Sequence, residues 1–139
     1  MHLVVDASVA VKRLIPEIHS GAAQAPLDSR NTLYAPDLIQ AEITIALVNR
    51  HLAGDLARAE VELGIDDLEK FPVIITPGTA VLRQAVEPAI AMRRGAFDCY
   101  YLALARMRGI RTVTADKKFC DQVSRGQFAS HVPWIADTV

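Results

Sequence analysis

The sequence of 139 residues predicts one α/β domain of three layers, α/β/α, built on a mainly parallel central sheet. Three observations carry this expectation. Short apolar runs alternate with longer stretches of helical periodicity, the pattern of strands joined by crossover helices. The β-branched run Val73-Ile74-Ile75 is continuous rather than alternating, as expected of a strand covered on both faces. Residues of hydrophobic type make up 51% of the chain, enough to fill one core but too few residues in all for two, so the domain spans 1–139.

The elements follow in order. Strand His2-Leu3-Val4-Val5 ends at Asp6, and a helix continues through Leu14 until Pro16 breaks it. Glu17 to Leu27 predicts a second short helix, with Pro26 and Asp28-Ser29 marking a loop. Leu33-Tyr34-Ala35 is a weak strand before Pro36, and Asp37 caps a helix from Leu38 to about Leu52 that stops at Gly54. Asp55 is placed to cap the next helix, to about Lys70; strand Val73-Ile74-Ile75 follows Pro72. Thr79 to Arg94 reads as a helix despite Pro88, ended by Gly95. Phe97 to Arg108 is helical until Gly109, and Arg111-Thr112-Val113-Thr114 is a strand leading to Asp116. A short helix, Lys117 to Val123, and a strand near Trp134-Ile135 complete the reading.

Composition excludes several classes. There is no repeat and no low-complexity segment. No apolar run approaches the roughly 20 residues of a membrane span, and no secretory signal opens the chain, so a cytoplasmic protein is expected. Cys99 and Cys120 lack CxxC spacing and sit in apolar helical patterns, as buried thiols do. His2, His19, His51 and His131 form no HxxxH pair, which argues against zinc. Fifteen basic residues against sixteen acids leave a net charge of −1, unlike the basic balance of most nucleic-acid binders.

Four acids stand out. Asp6 and Asp116 end strands, facing the sheet edge where α/β proteins collect ligands; each could instead cap the helix that follows. Glu42 shares a helical face with Leu38, Ala41, Ile45 and Ala46. A carboxylate on an apolar face needs a partner, either a buried cation or a metal. Asp98 begins a helix on the face of Tyr101, Leu102 and Ala105, where it also complements the helix dipole. Four carboxylates at one edge repel, and a cation among them relieves that. An all-oxygen set selects Mg²⁺ first and Mn²⁺ second. Phosphodiester hydrolysis is the natural chemistry of such a site.

These residues resemble PIN-domain nucleases, and within them the VapC-type toxins of toxin–antitoxin pairs. Val4-Val5-Asp6-Ala7-Ser8 looks like the opening strand and first acid, followed by Lys12; Leu38-Ile39-Gln40-Ala41-Glu42 is similar to the second-acid helix. Phe97-Asp98-Cys99-Tyr100-Tyr101-Leu102-Ala103-Leu104-Ala105 is the most diagnostic stretch, and Thr112-Val113-Thr114-Ala115-Asp116 matches the last strand and acid. The resemblance covers essentially the whole chain. It implies a metal-dependent endoribonuclease whose metal ligands and catalytic acids are Asp6, Glu42, Asp98 and Asp116. It further implies a homodimer and an antitoxin partner. Ser8 and Thr114 are expected to orient ligands or waters, and Asp121 could be the family's variable extra acid. Gly95 departs from the pattern, since relatives often carry a hydroxyl residue there.

RNA would be held by Lys12 and Lys117, then by Arg93 and Arg94, with Arg13 and Lys118 nearby. Other readings fit less well. A receiver domain would want an adjacent acidic pair, and a haloacid-type phosphatase would want Asp-x-Asp, whereas residue 8 is Ser. No Gly-rich loop follows the first strand, which excludes a dinucleotide-binding domain. The serious alternative is a PIN-shaped protein-binding module without strong catalysis, which the near-neutral charge would suit.

Overall fold

A computed structural model describes residues 1–20, 31–93, 95–126 and 134–135. Five parallel strands, β1 (His2–Val5), β2 (Thr32–Pro36), β3 (Val73–Thr76), β4 (Arg111–Thr114) and β5 (Trp134–Ile135), form one sheet in the order β3-β2-β1-β4-β5. The helices are α1 (Ala7–Ser20), α2 (Leu38–Leu52), α3 (Arg58–Glu69), α4 (Leu82–Met92), α5 (Ala96–Arg108) and α6 (Lys117–Ser124). From β1 the chain steps outward to β2 and β3, then crosses back to β4 and β5. Right-handed crossovers therefore put α1, α2 and α3 on one face and α4, α5 and α6 on the other. The packing agrees: α1, α2 and α3 touch one another, α4 lies on α5, and Phe119 and Val123 of α6 pack on Leu102 of α5. This is the expected three-layer α/β/α domain. Its topological switch lies between β1 and β4, which opens a crevice at their carboxyl ends.

The central strand is covered on both sides, with Leu3, Val4 and Val5 all buried. β3, expected to be covered likewise, is an edge strand with Ile74 48% exposed. Its continuous apolar run reflects strand propensity rather than double burial. Cys99 and Cys120 are buried free thiols, as expected. No helix among the described residues is long and apolar enough to cross a membrane.

Several local expectations are overturned. Pro16 does not break the first helix, because α1 runs on to Ser20, so no separate helix begins at Glu17; residues 21–27 and the Pro26 and Asp28-Ser29 loop lie outside the described residues. An interior proline forfeits one backbone bond, and burial of Val9, Ala10 and Leu14 offsets that loss. Asp55 does not cap α3: the Asp55 N–H is held by the Arg50 carbonyl at 2.9 Å, and the N-cap is Ala57, whose N–H donates to Glu60 Oε1 at 2.8 Å. Asp37 stands at the N-cap of α2, but its carboxylate accepts from the Gly78 N–H at 3.0 Å instead of from α2. A Cβ at residue 78 would lie 2.9 Å from that oxygen, so a side chain there would push the Asp37 carboxylate aside. The expected helix Thr79–Arg94 divides into a 3₁₀ turn, Gly78–Ala80, and α4, which ends with Arg93 in the left-handed region.

Candidate active site at the carboxyl end of the sheet

Asp6 leaves β1 beside β4. Its N–H donates to the Val113 carbonyl at 3.0 Å, and its own carbonyl accepts from Val9 at 3.0 Å and Ala10 at 3.3 Å to start α1. The side chain is 4% exposed. Its Oδ2 accepts from the Thr114 hydroxyl at 2.7 Å and its Oδ1 from the Ser8 N–H at 3.3 Å. Thr114 Oγ1 in turn accepts from the Asp116 N–H at 3.0 Å, and Ser8 Oγ from the Ala115 N–H at 3.0 Å. The two hydroxyls lie 3.4 Å apart. Ser8 and Thr114 thus knit the ends of β1 and β4 together and hold the carboxylate of Asp6.

Glu42 sits in the second turn of α2. The buried stripe of that helix is Ile39, Ile43 and Leu47, whereas Ala41 is exposed and Ile45 is 58% exposed. Of the face Leu38, Ala41, Ile45 and Ala46, Leu38 packs against the core while Ala41 and Ile45 are exposed, so that face is the margin of the core and Glu42 flanks it half-buried. The stripe that fills the core is Ile39, Ile43 and Leu47. Glu42 Oε1 accepts from the Tyr101 hydroxyl at 2.9 Å. Asp98, half-buried, lies in the first turn of α5.

Electrostatics identifies which acids are neighbours. Burial raises the Asp6 carboxyl above its usual value, hydrogen bonds from Thr114 and Ser8 oppose this, and the charge of Asp98 adds to the rise. Burial raises Glu42 to about 7, opposed by the Tyr101 hydrogen bond and reinforced by Asp6 and Asp98. Asp6, Glu42 and Asp98 therefore form one mutually repelling group drawn from three elements. Asp116 is the N-cap of α6, its Oδ1 accepting from the Phe119 N–H at 3.1 Å, and it meets the group through Thr114. Asp121 is half-buried farther along α6.

Among the described residues, no three His, Cys, Asp or Glu side chains close into a ready coordination sphere. The oxygens are engaged elsewhere: Thr114 and Ser8 hold both of Asp6, and Tyr101 holds one of Glu42. The donor chemistry nonetheless fits a hard cation, since buried, repelling carboxylates are relieved by one.

Lys12 is exposed on α1, and Lys117 and Lys118 are exposed on the first turn of α6, beside Asp116; Arg13 is half-buried and Arg93 exposed. Arg94 lies outside the described residues. The sequence places Tyr101 beside Asp98 without assigning it a role of its own. It is fully buried within the run Leu102-Ala103-Leu104-Ala105, and a tyrosine in such a run must find a partner for its hydroxyl. That was the available signal.

A PIN domain model matches residues 3–123. The chain is 28% identical over 126 residues to Ribonuclease VapC3 of Pyrobaculum aerophilum, covering 88% of this chain and 95% of that protein. Among solved structures it superposes on PAE2754 from Pyrobaculum aerophilum with a TM-score of 0.61 at 21% identity, covering 88% of this chain and 79% of that one. VapBC2 from Rickettsia felis, bound to a DNA fragment from its promoter, also gives a TM-score of 0.61, at 13% identity, covering 97% of this chain and 98% of that one. At those identities the two structures speak for the fold.

Proposed function

Because the chain belongs to the PIN-domain family, we propose that it is a metal-dependent endoribonuclease and the toxin of a toxin–antitoxin pair. The observation that carries this reading is the group Asp6, Glu42 and Asp98, three carboxylates from three elements gathered in repelling range at the switch point of the sheet. Such an arrangement is costly to the fold, and burying like charges is what a cation-binding site requires. The similarity to a protein named as a ribonuclease, over most of both chains, supports RNA as the substrate. The superposition on a VapBC complex supports an antitoxin partner, and the family resemblance supports a homodimer.

Asp6, Glu42 and Asp98 would hold Mg²⁺ or Mn²⁺, with Asp116 joining from α6. A bound ion of this kind neutralises charge on the scissile phosphate and makes a water more acidic. Thr114 and Ser8 fix the Asp6 carboxylate by hydrogen bonds to both oxygens. Lys12 and Lys117, exposed on helices that begin at the same edge, supply positive charge for the phosphate backbone that the net charge of −1 does not.

The test is cleavage of tRNA, ribosomal RNA and messenger RNA fragments with Mg²⁺, with Mn²⁺ and with EDTA. Wild type is expected to cut only with the ion. Asp6→Asn keeps the size and a hydrogen-bonding oxygen but loses the charge, so cleavage should fall on the order of 10³-fold or more while the fold is retained. Near-normal activity in Asp6→Asn would sink the assignment. Metal-independent capture of a partner protein with no cleavage of any RNA would favour the binding-module alternative.

A further inference from the structure

We propose that Tyr101 is a positioning residue for the metal site, its buried hydroxyl bridging α5 to the Glu42 carboxylate on α2. The inference rests on the metal-site reading above. Tyr101 lies on α5 one turn after Asp98, with its side chain fully buried. Its hydroxyl donates to Glu42 Oε1 at 2.9 Å. One hydrogen bond therefore ties together two helices that each carry an acid of the group, α2 with Glu42 and α5 with Asp98.

The bridge has a direction. A phenolic hydroxyl keeps its proton at neutral pH and a carboxylate can only accept, so Tyr101 is the donor and the Glu42 oxygen 2.9 Å away fixes where its proton points. Glu42 is half-buried at the margin of the apolar stripe of α2 and is repelled by Asp6 and Asp98. Without the hydroxyl, a flexible glutamate in that field turns outward to water. With it, one oxygen is held and the other is left to face the group.

The experiment is calorimetric titration of Mn²⁺ alone into wild type, Tyr101→Phe, Glu42→Gln and the double variant, with thermal melting to confirm folding. Tyr101→Phe is expected to bind Mn²⁺ about 10- to 100-fold more weakly, the range for loss of a hydrogen bond to a metal ligand. In the Glu42→Gln background it should cost nothing further, because the tyrosine acts through that carboxylate. Unchanged affinity in Tyr101→Phe would overturn the inference. So would an equal loss with or without Glu42, which is the mark of disturbed packing. Should Tyr101→Phe fail to fold, Glu42→Asp keeps the charge but withdraws it from the hydroxyl, and wild-type affinity in that variant overturns the bridge. Wild type that binds no Mn²⁺ removes the metal-site reading itself and this inference with it.

Discussion

At the amino end of β1, His2 Nδ1 lies 3.0 Å from the Tyr34 hydroxyl, and the Arg108 guanidinium covers the Tyr34 ring at 4.1 Å from its centroid. Just past the carboxyl end of the same four-residue strand, Asp6 is buried within repelling range of Asp98, and both act on Glu42. The groups that hold Asp6 are a hydroxyl and an amide, neither of which carries charge. One end is complementary: a cation sits on a π face, and donor meets acceptor. The other concentrates like charge in a place of low dielectric, where stability alone would never put it. A fold that is consistent everywhere else and strained at one edge marks that edge as functional.

Three measurements sharpen the contrast. The largest effect is expected for Asp98→Asn: cleavage should fall on the order of 10²-fold or more, and Mn²⁺ should raise the melting temperature less than in wild type. An equal metal-induced shift in both proteins would take Asp98 out of the site.

Next comes the pH dependence of the metal-free protein. Glu42 has its carboxyl raised from 4.5 to about 7 by burial, so between those values the folded state binds the extra proton. The destabilisation is absent below the unfolded value, grows as pH rises through the interval and is complete above about 7. Asp6 is shifted in the same direction. Melting should therefore occur at a lower temperature at about pH 8 than at about pH 5, and Glu42→Gln should flatten the profile. A wild-type profile already flat over that range would mean the carboxylates are not in conflict.

The smallest effect belongs to the amino end. Arg108→Ala should cost about 0.5–1 kcal/mol, the worth of an exposed cation–π contact, and leave RNA cleavage unchanged. Loss of cleavage there would show that the two ends are not independent.

Much of this was legible in the sequence, and the misses have physical causes. The strand-end positions of Asp6 and Asp116 followed from short β-branched runs, and the Gly109 stop from its place after Arg108; that glycine is indeed left-handed, at φ 66°. What failed were judgements in which a local signal competes with tertiary packing. Pro16 is a helix breaker by itself, yet a helix anchored by Val9, Ala10 and Leu14 continues through it. Asp37 is a good capping residue, but the approach of Gly78 from 41 residues away gave its carboxylate another partner. The helical wheel sets Glu42 on the face of Leu38, Ala41, Ile45 and Ala46, whereas the residues that meet the sheet are Ile39, Ile43 and Leu47, a choice between stripes that only tertiary packing makes. The role of Tyr101 depends on Glu42, 59 residues away, which no local pattern shows.

The strand order has a consequence for how the protein comes into being. β1 pairs with β2 on one side, thirty-odd residues later, but its other neighbour, β4, begins only at Arg111. During vectorial synthesis the first strand must wait with one edge open, because a partner so far along the chain closes slowly and late. The hydroxyl that grips Asp6 arrives with Thr114, near the end of that wait. A nascent or truncated chain can carry Asp6, Glu42 and even Asp98 without the clasp that fixes Asp6. The chemistry proposed for this edge is thereby tied to the synthesis of β4, with chain topology itself acting as the timer.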